Sequence, residues 1–336
     1  MELKCAIQTY NWGKHGMDSI VATLMKSANA DFVVDEQKTY AELWMGTHEN
    51  GPSYLKDIDV PLQKYIQENT KVLGSDTIQM FGSNLPFLFK VLSINKALSI
   101  QVHPNKATDS MISDALRQCF YSLMTCDSNE VARQLKNLID RLHNIDDSYR
   151  QWIKADLLKR LHADYPGDVG CFTIYLFNYI TMQPGEAIYI GPNIPHAYLS
   201  GDCIECMACS DNVIRAGLTP KPKDVPTLIQ ILSFECELAS ARKIQPFRED
   251  VFTEVFRPPV PEFAVAKITL PPGRPLHNLK HRNSASILLI VSGKAEISSK
   301  IFSRGSVLFI PANEVVEIKV LCGCHPMLMF QAFPNV

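Results

Sequence analysis

The sequence predicts a mainly β protein that is interrupted by one helical segment. Residues 1–107 and most of residues 166–336 alternate polar with apolar side chains or form short apolar runs, and both patterns are typical of strands. Residues 108–165 instead carry apolar side chains at helical spacing. A chain of 336 residues with 46% hydrophobic content is long enough for about two or three globular domains.

Net charge and the length of apolar runs limit the classes of partner. The formal net charge is −2 and the isoelectric point is near 6.5, so no global charge attracts nucleic acid. The longest apolar runs, such as residues 172–180, are too short to span a bilayer. The first residues lack the apolar stretch of a signal peptide. We therefore expect a cytoplasmic protein without nucleic-acid or membrane partners, whose ten cysteines are free thiols.

The helical segment divides into three apolar stripes, which predict three helices. The second stripe begins after Asp127, and Glu130 follows three residues later, which is the pattern of a capping box. Pro166 and Gly167 end the third stripe. The charged residues of the segment are expected to form solvated helix faces.

Strand patterns return after the helices. Strands are expected at residues 171–180, 185–190, 194–198 and 203–217, with a short helix at 225–234. Beyond a proline-rich linker at residues 257–261, six evenly spaced strands indicate an antiparallel barrel or jelly roll.

A weak internal repeat relates residues 185–190 to residues 305–310. Each copy begins with glycine, and a strand of about six residues leads into a proline turn. Two β-barrels of the cupin type, the jelly-roll kind, would explain the repeat. A histidine, His196, follows the turn in the first copy only. Any metal is therefore expected in the first barrel.

The strongest candidate ligands lie on residues 98–103. Ser99, Gln101 and His103 alternate with apolar residues, so an extended strand would place these three side chains on one face. Gln101 and His103, together with His196, offer an amide oxygen and two imidazoles. Zinc suits such ligands, and a catalytic zinc site keeps one position open. The alternative is that the histidines are structural.

One lysine lies inside an otherwise apolar candidate strand. Lys90 is in the middle of residues 84–94. A buried lysine costs free energy unless it is paired or reaches a cleft. The side chain therefore either extends to solvent at a sheet edge or contacts an anion.

Arg215 is a second candidate cation. It lies close to Gly217, and a guanidinium in a close turn suits an oxyanion or a phosphate. The alternative is a structural ion pair with Asp211, four residues earlier. Lys221 follows in the same segment.

Three cysteines have a metal-ligand spacing. Cys203, Cys206 and Cys209 match the C-x-x-C-x-x-C pattern of some iron–sulfur sites. A fourth ligand with the usual downstream spacing is absent, and strand alternation would place Cys206 on the opposite face. We expect buried, reduced thiols instead.

Six motifs resemble those of the type I phosphomannose isomerases, and together they cover nearly the whole chain. The motifs are YNWG at 10–13, YAELWMGTH at 40–48, LPFLFKVL at 85–92, LSIQVHPNK at 98–106, PHAY at 195–198 and the block 201–221. The resemblance implies a zinc enzyme that interconverts mannose 6-phosphate and fructose 6-phosphate through a cis-enediol. It also implies one zinc ion per chain and a role in supplying mannose for GDP-mannose synthesis.

The resemblance also implies roles for individual residues. The zinc ligands of the family fall on Gln101, His103 and His196, and its catalytic arginine falls on Arg215. Residues that match the family's pocket, and that would bind substrate or transfer protons, are Lys90, Glu205, Asp211 and Lys221. We expect a monomer with a catalytic cupin-type domain (1–107 and 166–256), a helical domain (108–165) and a C-terminal cupin-type domain without metal ligands (257–336).

The chain departs from the family's pattern in one place. The family's fourth zinc ligand is a glutamate in an Asn-His-Lys-Pro-Glu motif, and this chain lacks that motif. Lys106 is instead followed at once by the helical segment, so an internal segment is expected to be missing through splicing or an incomplete gene model. Three neutral ligands would hold zinc weakly. The rival hypotheses are an impaired relative that at most binds sugar phosphate, and a cupin metal oxygenase.

Overall fold

A computed structural model of the chain describes residues 1–103, 111–142, 145–209, 213–234, 237–272, 276–321 and 325–336. The strands are β1 (Leu3–Lys4), β2 (Ala6–Gln8), β3 (Lys14–His15), β4 (Thr39–Tyr40), β5 (Glu42–Met45), β6 (Tyr54–Leu55), β7 (Val60–Pro61), β8 (Phe87–Ile94), β9 (Ile100–Val102), β10 (Ala187–Ile188), β11 (Gly201–Ala208), β12 (Ile214–Gly217), β13 (Lys243–Ile244), β14 (Phe247–Arg248), β15 (Thr253–Phe256), β16 (Ala264–Leu270), β17 (Leu276–Asn278), β18 (Ser286–Ser292), β19 (Lys294–Ile297), β20 (Lys300–Ser303), β21 (Val307–Ile310), β22 (Glu317–Val320) and β23 (Met327–Phe333).

The α-helices contain fewer residues in total than the strands. The α-helices are α1 (Ile20–Ala28), α2 (Leu62–Glu68), α3 (Ser75–Phe81), α4 (Met111–Met124), α5 (Ser128–Arg141), α6 (Asp147–Trp152), α7 (Ala155–Asp164) and α8 (Val225–Ile231). Short 3-10 helices cover Gly16–Asp18, Thr70–Leu73, Val169–Tyr175 and Ala239–Arg242. The fold is therefore mainly β with a helical insertion, as expected.

The chain divides into two compact units. The first unit contains Met1–Asn95, Gly201–Ser210 and Ile244–Val336, and the second contains Lys96–Ser200 and Asp211–Lys243. The two units are not continuous in sequence. Strand β11 belongs to the first unit, although the residues before and after its segment belong to the second.

A four-stranded antiparallel sheet, ordered β11-β8-β5-β2, organises the N-terminal part of the first unit. Strand β8 lies inside this sheet, paired with β11 on one side and β5 on the other, and all eight of its residues are buried. Ser19 caps the N-terminus of helix α1: its hydroxyl accepts from the N–H groups of Val21 and Ala22 and donates to the Tyr40 carbonyl at 2.7 Å. This cap ties the helix to the strands beside the sheet.

Two antiparallel sheets form the C-terminal part of the first unit. Their strand orders are β14-β15-β16-β23-β18-β21 and β17-β22-β19-β20. Ile268 and Met329 from one sheet share a core with Ala295 and Ile318 from the other, so the sheets face each other across apolar side chains. All six strands expected after the linker are present. Both sheets are open among the described residues, and closed cupin-type barrels stay a prediction.

Helices and short strands build the second unit around its own core. Leu135, Leu158 and Leu161 of the helices pack in one cluster with Ile100 and Val102 of β9. The third predicted helix is divided into α6 and α7, because Lys154 between them has a left-handed backbone (φ 54°). Asp127 caps α5 as expected, but the Glu130 carboxylate binds Arg133 rather than completing a capping box.

Three predicted strands of the second unit are wrong or shortened. Residues 171–180 form no strand; the Asp168 carboxylate accepts from the Gly170 N–H and starts a 3-10 helix there. Of the strand predicted at residues 185–190, which is the first copy of the repeat, only the two residues of β10 are extended as a strand. Residues 194–198 contribute a single β-bridge at His196 rather than a strand.

No helix in the described residues is long and apolar enough to cross a membrane. The cysteines that the structure describes are all free thiols, as expected. Burial raises the pKa of the Cys5 thiol to about 12, and it raises the pKa of the Cys171 thiol to about 12 as well.

These two thiols predict that the protein loses stability at alkaline pH. Unfolded thiols lose their protons near pH 8.5, whereas the folded thiols keep theirs until about pH 12. The folded state therefore binds more protons than the unfolded state in this window, and the free energy of unfolding falls as pH rises. Urea unfolding under reducing conditions, between about pH 7 and about pH 10, measures this fall.

The variant Cys5→Ala removes one of these two thiols and should make the fall in the free energy of unfolding with pH shallower. Cys119→Ala removes an exposed thiol on α4 and serves as the control. An unchanged slope in Cys5→Ala would contradict the prediction.

Candidate active site

Gln101 lies where three backbone segments of the second unit meet. On one side it is the antiparallel partner of Arg215 in β12. On the other side the Gln101 N–H donates to the His196 carbonyl at 2.8 Å, and the His196 N–H donates to the Gln101 carbonyl at 3.0 Å. Residues directly opposite each other in antiparallel segments project their side chains to the same face. His196, Gln101 and Arg215 therefore form a row across one face.

His103 extends this face along the direction of β9. It follows Gln101 by two residues, and its carbonyl accepts from the Asn193 N–H at 2.7 Å. The rings of His103 and His196 lie with their centroids 5.7 Å apart and an interplanar angle of 30°. The structure thus brings together all three predicted zinc ligands, and each is only half-buried, so an ion can reach them.

Two local hydrogen bonds orient the ligand atoms. The Gln101 amide nitrogen donates to the Ser99 hydroxyl at 3.0 Å. The His196 Nδ1 atom lies 2.9 Å from the Ile194 carbonyl, and since a carbonyl only accepts, Nδ1 carries the proton. The Gln101 oxygen and the His196 Nε2 atom are then the lone-pair donors, as in metal sites whose ligands are fixed by outer partners.

Gln101, His103 and His196 supply three ligands of the kinds that zinc binds. Catalytic zinc sites hold the ion through three protein ligands and leave one position open. Among the described residues no group of three or more His, Cys, Asp or Glu side chains could hold a metal, so this face supplies two imidazoles and an amide without a carboxylate. The same finding argues against an iron–sulfur site at Cys203, Cys206 and Cys209. Cys203 and Cys209 are exposed rather than buried.

One carboxylate that the sequence analysis missed fixes the end of β12. Asp168 accepts from the N–H groups of Gly170 and Leu218, at 2.7 and 2.9 Å, and from the Lys223 ammonium at 3.1 Å. A Cβ atom on Gly217 would lie 2.8 Å from the Gly170 Cα atom, so only glycine fits this junction. Asp168 thereby holds the strand that carries Arg215.

Two further predicted residues belong to the same stretch of chain. Lys221 is exposed, and its N–H donates to the Thr219 hydroxyl at 3.1 Å. Asp211 lies outside the described residues, and with it the predicted ion pair to Arg215.

Lys90 and Glu205 meet in the first unit. Strand register places Lys90 between Trp44 of β5 and Glu205 of β11. The Lys90 ammonium lies 3.1 Å from a Glu205 oxygen and 3.5 Å from a Glu42 oxygen, and 5.2 Å from the Trp44 ring centroid. The Trp44 indole N–H donates to Glu42 at 2.5 Å. Because β8 is an interior strand, the interpretation that Lys90 extends to solvent at a sheet edge is wrong; it contacts carboxylate anions.

The charges of this cluster determine its chemistry. Burial lowers the pKa of Lys90, but the Glu205 and Glu42 carboxylates outweigh this effect, and the net shift is upward. Burial raises the pKa of the Glu42 carboxyl, against the opposing effect of Lys90. Lys90 is therefore held as an ammonium ion, which suits binding of negative charge better than removal of a proton.

Comparison with known proteins identifies the family. Residues 1–129 match the family model described as "Phosphomannose isomerase type I, catalytic domain", and residues 93–177 match its "helical insertion domain". The mannose-6-phosphate isomerase of Bos taurus is 37% identical over 417 residues, which cover 98% of this chain and 97% of that protein. The chain belongs to the type I phosphomannose isomerase family. Its members are aldose–ketose isomerases, and this chain is an enzyme of that class.

Solved structures agree with this assignment. The apo form of mannose 6-phosphate isomerase from Salmonella typhimurium superposes with a TM-score of 0.82 at 26% identity, covering 100% of this chain and 99% of that chain. A structure from the same organism bound to fructose 6-phosphate and zinc has a TM-score of 0.81 at 24% identity, with the same coverage. The 417 aligned residues of the bovine comparison exceed the 336 residues of this chain, so that alignment contains gaps in this chain.

The buried cluster predicts a large cost for removing its cation. Lys90→Met leaves Glu42 and Glu205 without a compensating charge, and we expect a loss of about 3–5 kcal/mol in the free energy of unfolding near neutral pH. The loss should shrink at lower pH, because a carboxyl whose pKa is already raised takes up a proton there. Urea unfolding at two pH values measures both effects.

The matched control is Lys64→Met on helix α2. The Lys64 ammonium lies 3.9 Å from Glu68 with both side chains exposed, so its removal should change the free energy of unfolding by less than about 0.5 kcal/mol. Equal losses in the two variants would contradict a special role for the Lys90 cluster.

Proposed function

We propose that this enzyme interconverts mannose 6-phosphate and fructose 6-phosphate, with one zinc ion held by Gln101, His103 and His196. The observation that carries the proposal is the convergence of these three side chains with Arg215 on one face of the second unit. Mannose-6-phosphate isomerases that align along nearly the whole chain support it. The Salmonella typhimurium relative whose structure contains fructose 6-phosphate and zinc supports it further.

The reaction moves a proton between C1 and C2 of the open-chain sugar through a cis-enediol. Zinc, when bound, polarises sugar oxygens without changing its oxidation state. Arg215 adds a fixed positive charge next to Gln101, where negative charge develops on the sugar oxygens in the transition state. The ligand face itself offers no described carboxylate to act as a base.

The remaining polar residues are proposed to bind substrate or transfer protons. Lys90, as a permanent ammonium, and Lys221, as an exposed lysine, suit binding of negative charge such as a phosphate. Glu205 and Asp211 are carboxylates that can accept the proton in the isomerisation.

Several wider features are part of the same proposal. We propose a catalytic domain (1–107 and 166–256), a helical domain (108–165) and a C-terminal domain without metal ligands (257–336), with cupin-type barrels in the first and last. A monomer in the cytoplasm that supplies mannose for GDP-mannose synthesis is consistent with the composition. The cupin oxygenase hypothesis gains no support, since the matched relatives are isomerases.

A second candidate function is a catalytically impaired isomerase that at most binds sugar phosphate. The gaps in the alignment with the bovine relative favour it, as does the lack of a carboxylate in the described ligand set. Three neutral ligands leave both charges of the zinc ion uncompensated and weaken the site.

A paired assay separates the two candidates. The purified chain is compared with a variant in which the whole missing internal segment, including the Asn-His-Lys-Pro-Glu motif, is restored after Lys106. Turnover of mannose 6-phosphate is measured by coupling to glucose 6-phosphate formation, and zinc content is measured on both proteins. We expect turnover by the natural chain that is lost on chelation and restored by zinc. Activity only in the variant with the restored segment would establish the impaired enzyme instead.

Arg215 provides a more specific prediction. Arg215→Ala should lower kcat by about 10²–10³-fold, since it removes one preorganised charge, while zinc content stays unchanged. Arg133→Ala is the control, because Arg133 is an exposed arginine on α5 paired only locally with Glu130 among the contacts described. Loss of zinc in Arg215→Ala would show that the arginine supports the ligands rather than the reaction.

A further inference from the structure

Ser99 is the hydrogen-bond partner of the Gln101 side-chain amide. Its hydroxyl accepts the hydrogen bond from the Gln101 amide nitrogen at 3.0 Å. Ser99 precedes β9 and Gln101 lies in its centre, two residues along, so both side chains project to the same face. The bond is thus local to one short segment.

A glutamine side chain presents either of two different atoms to a metal. Its oxygen carries lone pairs and can bind a cation, whereas its NH₂ group has only N–H donors and repels one. The two orientations differ by a half-turn of the terminal amide, and this rotation has broad, shallow preferences of its own. In the structure the NH₂ group donates to Ser99, which leaves the oxygen as the atom available to a cation.

We propose that Ser99 is a positioning residue, whose hydroxyl holds the Gln101 amide so that the oxygen faces the zinc ion. The inference rests on the proposed zinc site. The role parallels that of the Ile194 carbonyl, which accepts from His196 Nδ1 and leaves Nε2 as the ligand atom. Gln101 gains more from such a partner than a carboxylate would, because a carboxylate has two equivalent oxygens.

The test is zinc affinity, measured by competition with a chromogenic chelator on the apo protein, without any assay of turnover. Ser99→Ala should raise the zinc Kd about tenfold, the usual scale for loss of an outer partner of a metal ligand. Ser99→Thr retains the hydroxyl and should bind zinc as the natural chain does.

The matched control is Ser286→Ala. The Ser286 hydroxyl accepts from the amide nitrogen of Gln331 at 2.9 Å, so the variant deletes the same kind of serine–glutamine bond, but in the core of the first unit. Its zinc Kd should equal that of the natural chain. An equal rise in Ser99→Ala and Ser286→Ala would mean a general effect of destabilisation and would overturn the proposal.

Repeating the Ser99→Ala substitution in a Gln101→Glu variant makes the test specific to the orientation of the amide. In Gln101→Glu both terminal atoms are oxygens, so adding Ser99→Ala should change the zinc Kd by less than about twofold. The same tenfold rise in both backgrounds would exclude the orienting role. Zinc binding by the natural chain with no effect of Ser99→Ala would overturn the positioning role alone. No zinc binding by the natural chain would overturn the proposed function and this inference together.

Discussion

The candidate site depends on one constraint, which is the two-sided backbone pairing of Gln101. Hydrogen bonds to His196 on one side and register with Arg215 on the other bring distant parts of the sequence to neighbouring positions on one face. Directly opposed residues of antiparallel segments have Cβ atoms about 4.5–5.5 Å apart, which is the separation that convergent ligands need. The arrangement of these side chains therefore follows from main-chain hydrogen bonds.

The segments on either side of Gln101 are themselves held by polar groups. The Asn193 N–H donates to the His103 carbonyl, and the Ser233 N–H donates to the Asn193 carbonyl, so the turn before His196 is held at Asn193 through both backbone polar groups of that residue. Across the strand, Asp168 satisfies two backbone N–H groups where β12 ends. A carboxylate with several N–H donors is well compensated, so protein groups alone hold this junction. A preformed face of this kind lowers the entropic cost of placing the ligands.

Local pattern predicted the parts of the site that lie on one strand, and it failed where individual side-chain contacts decide the structure. Period-two alternation predicted the shared face of Ser99, Gln101 and His103, and β23 has the predicted bounds. The apolar run at 171–180 does not form a strand, because the Asp168 side chain starts a 3-10 helix there. The sequence did not predict the ion pair of Glu42, although Glu42 lies in the YAELWMGTH motif. Its partner Lys90 lies on another strand, and the periodicity of one strand carries no information about a contact with another.

The distribution of charge separates the two polar centres of the molecule. In the first unit, two carboxylates surround one ammonium, so the cluster of Glu42, Lys90 and Glu205 can hold its lysine charged without an external ion. In the second unit, the described ligands are neutral and their neighbour Arg215 is a cation. A zinc ion bound there would add positive charge to a face that already carries one. Its charge would be balanced best by an anion from outside, and a phosphorylated sugar is such an anion. Under the proposed function, zinc and substrate therefore strengthen each other's binding by the same factor, as linkage requires.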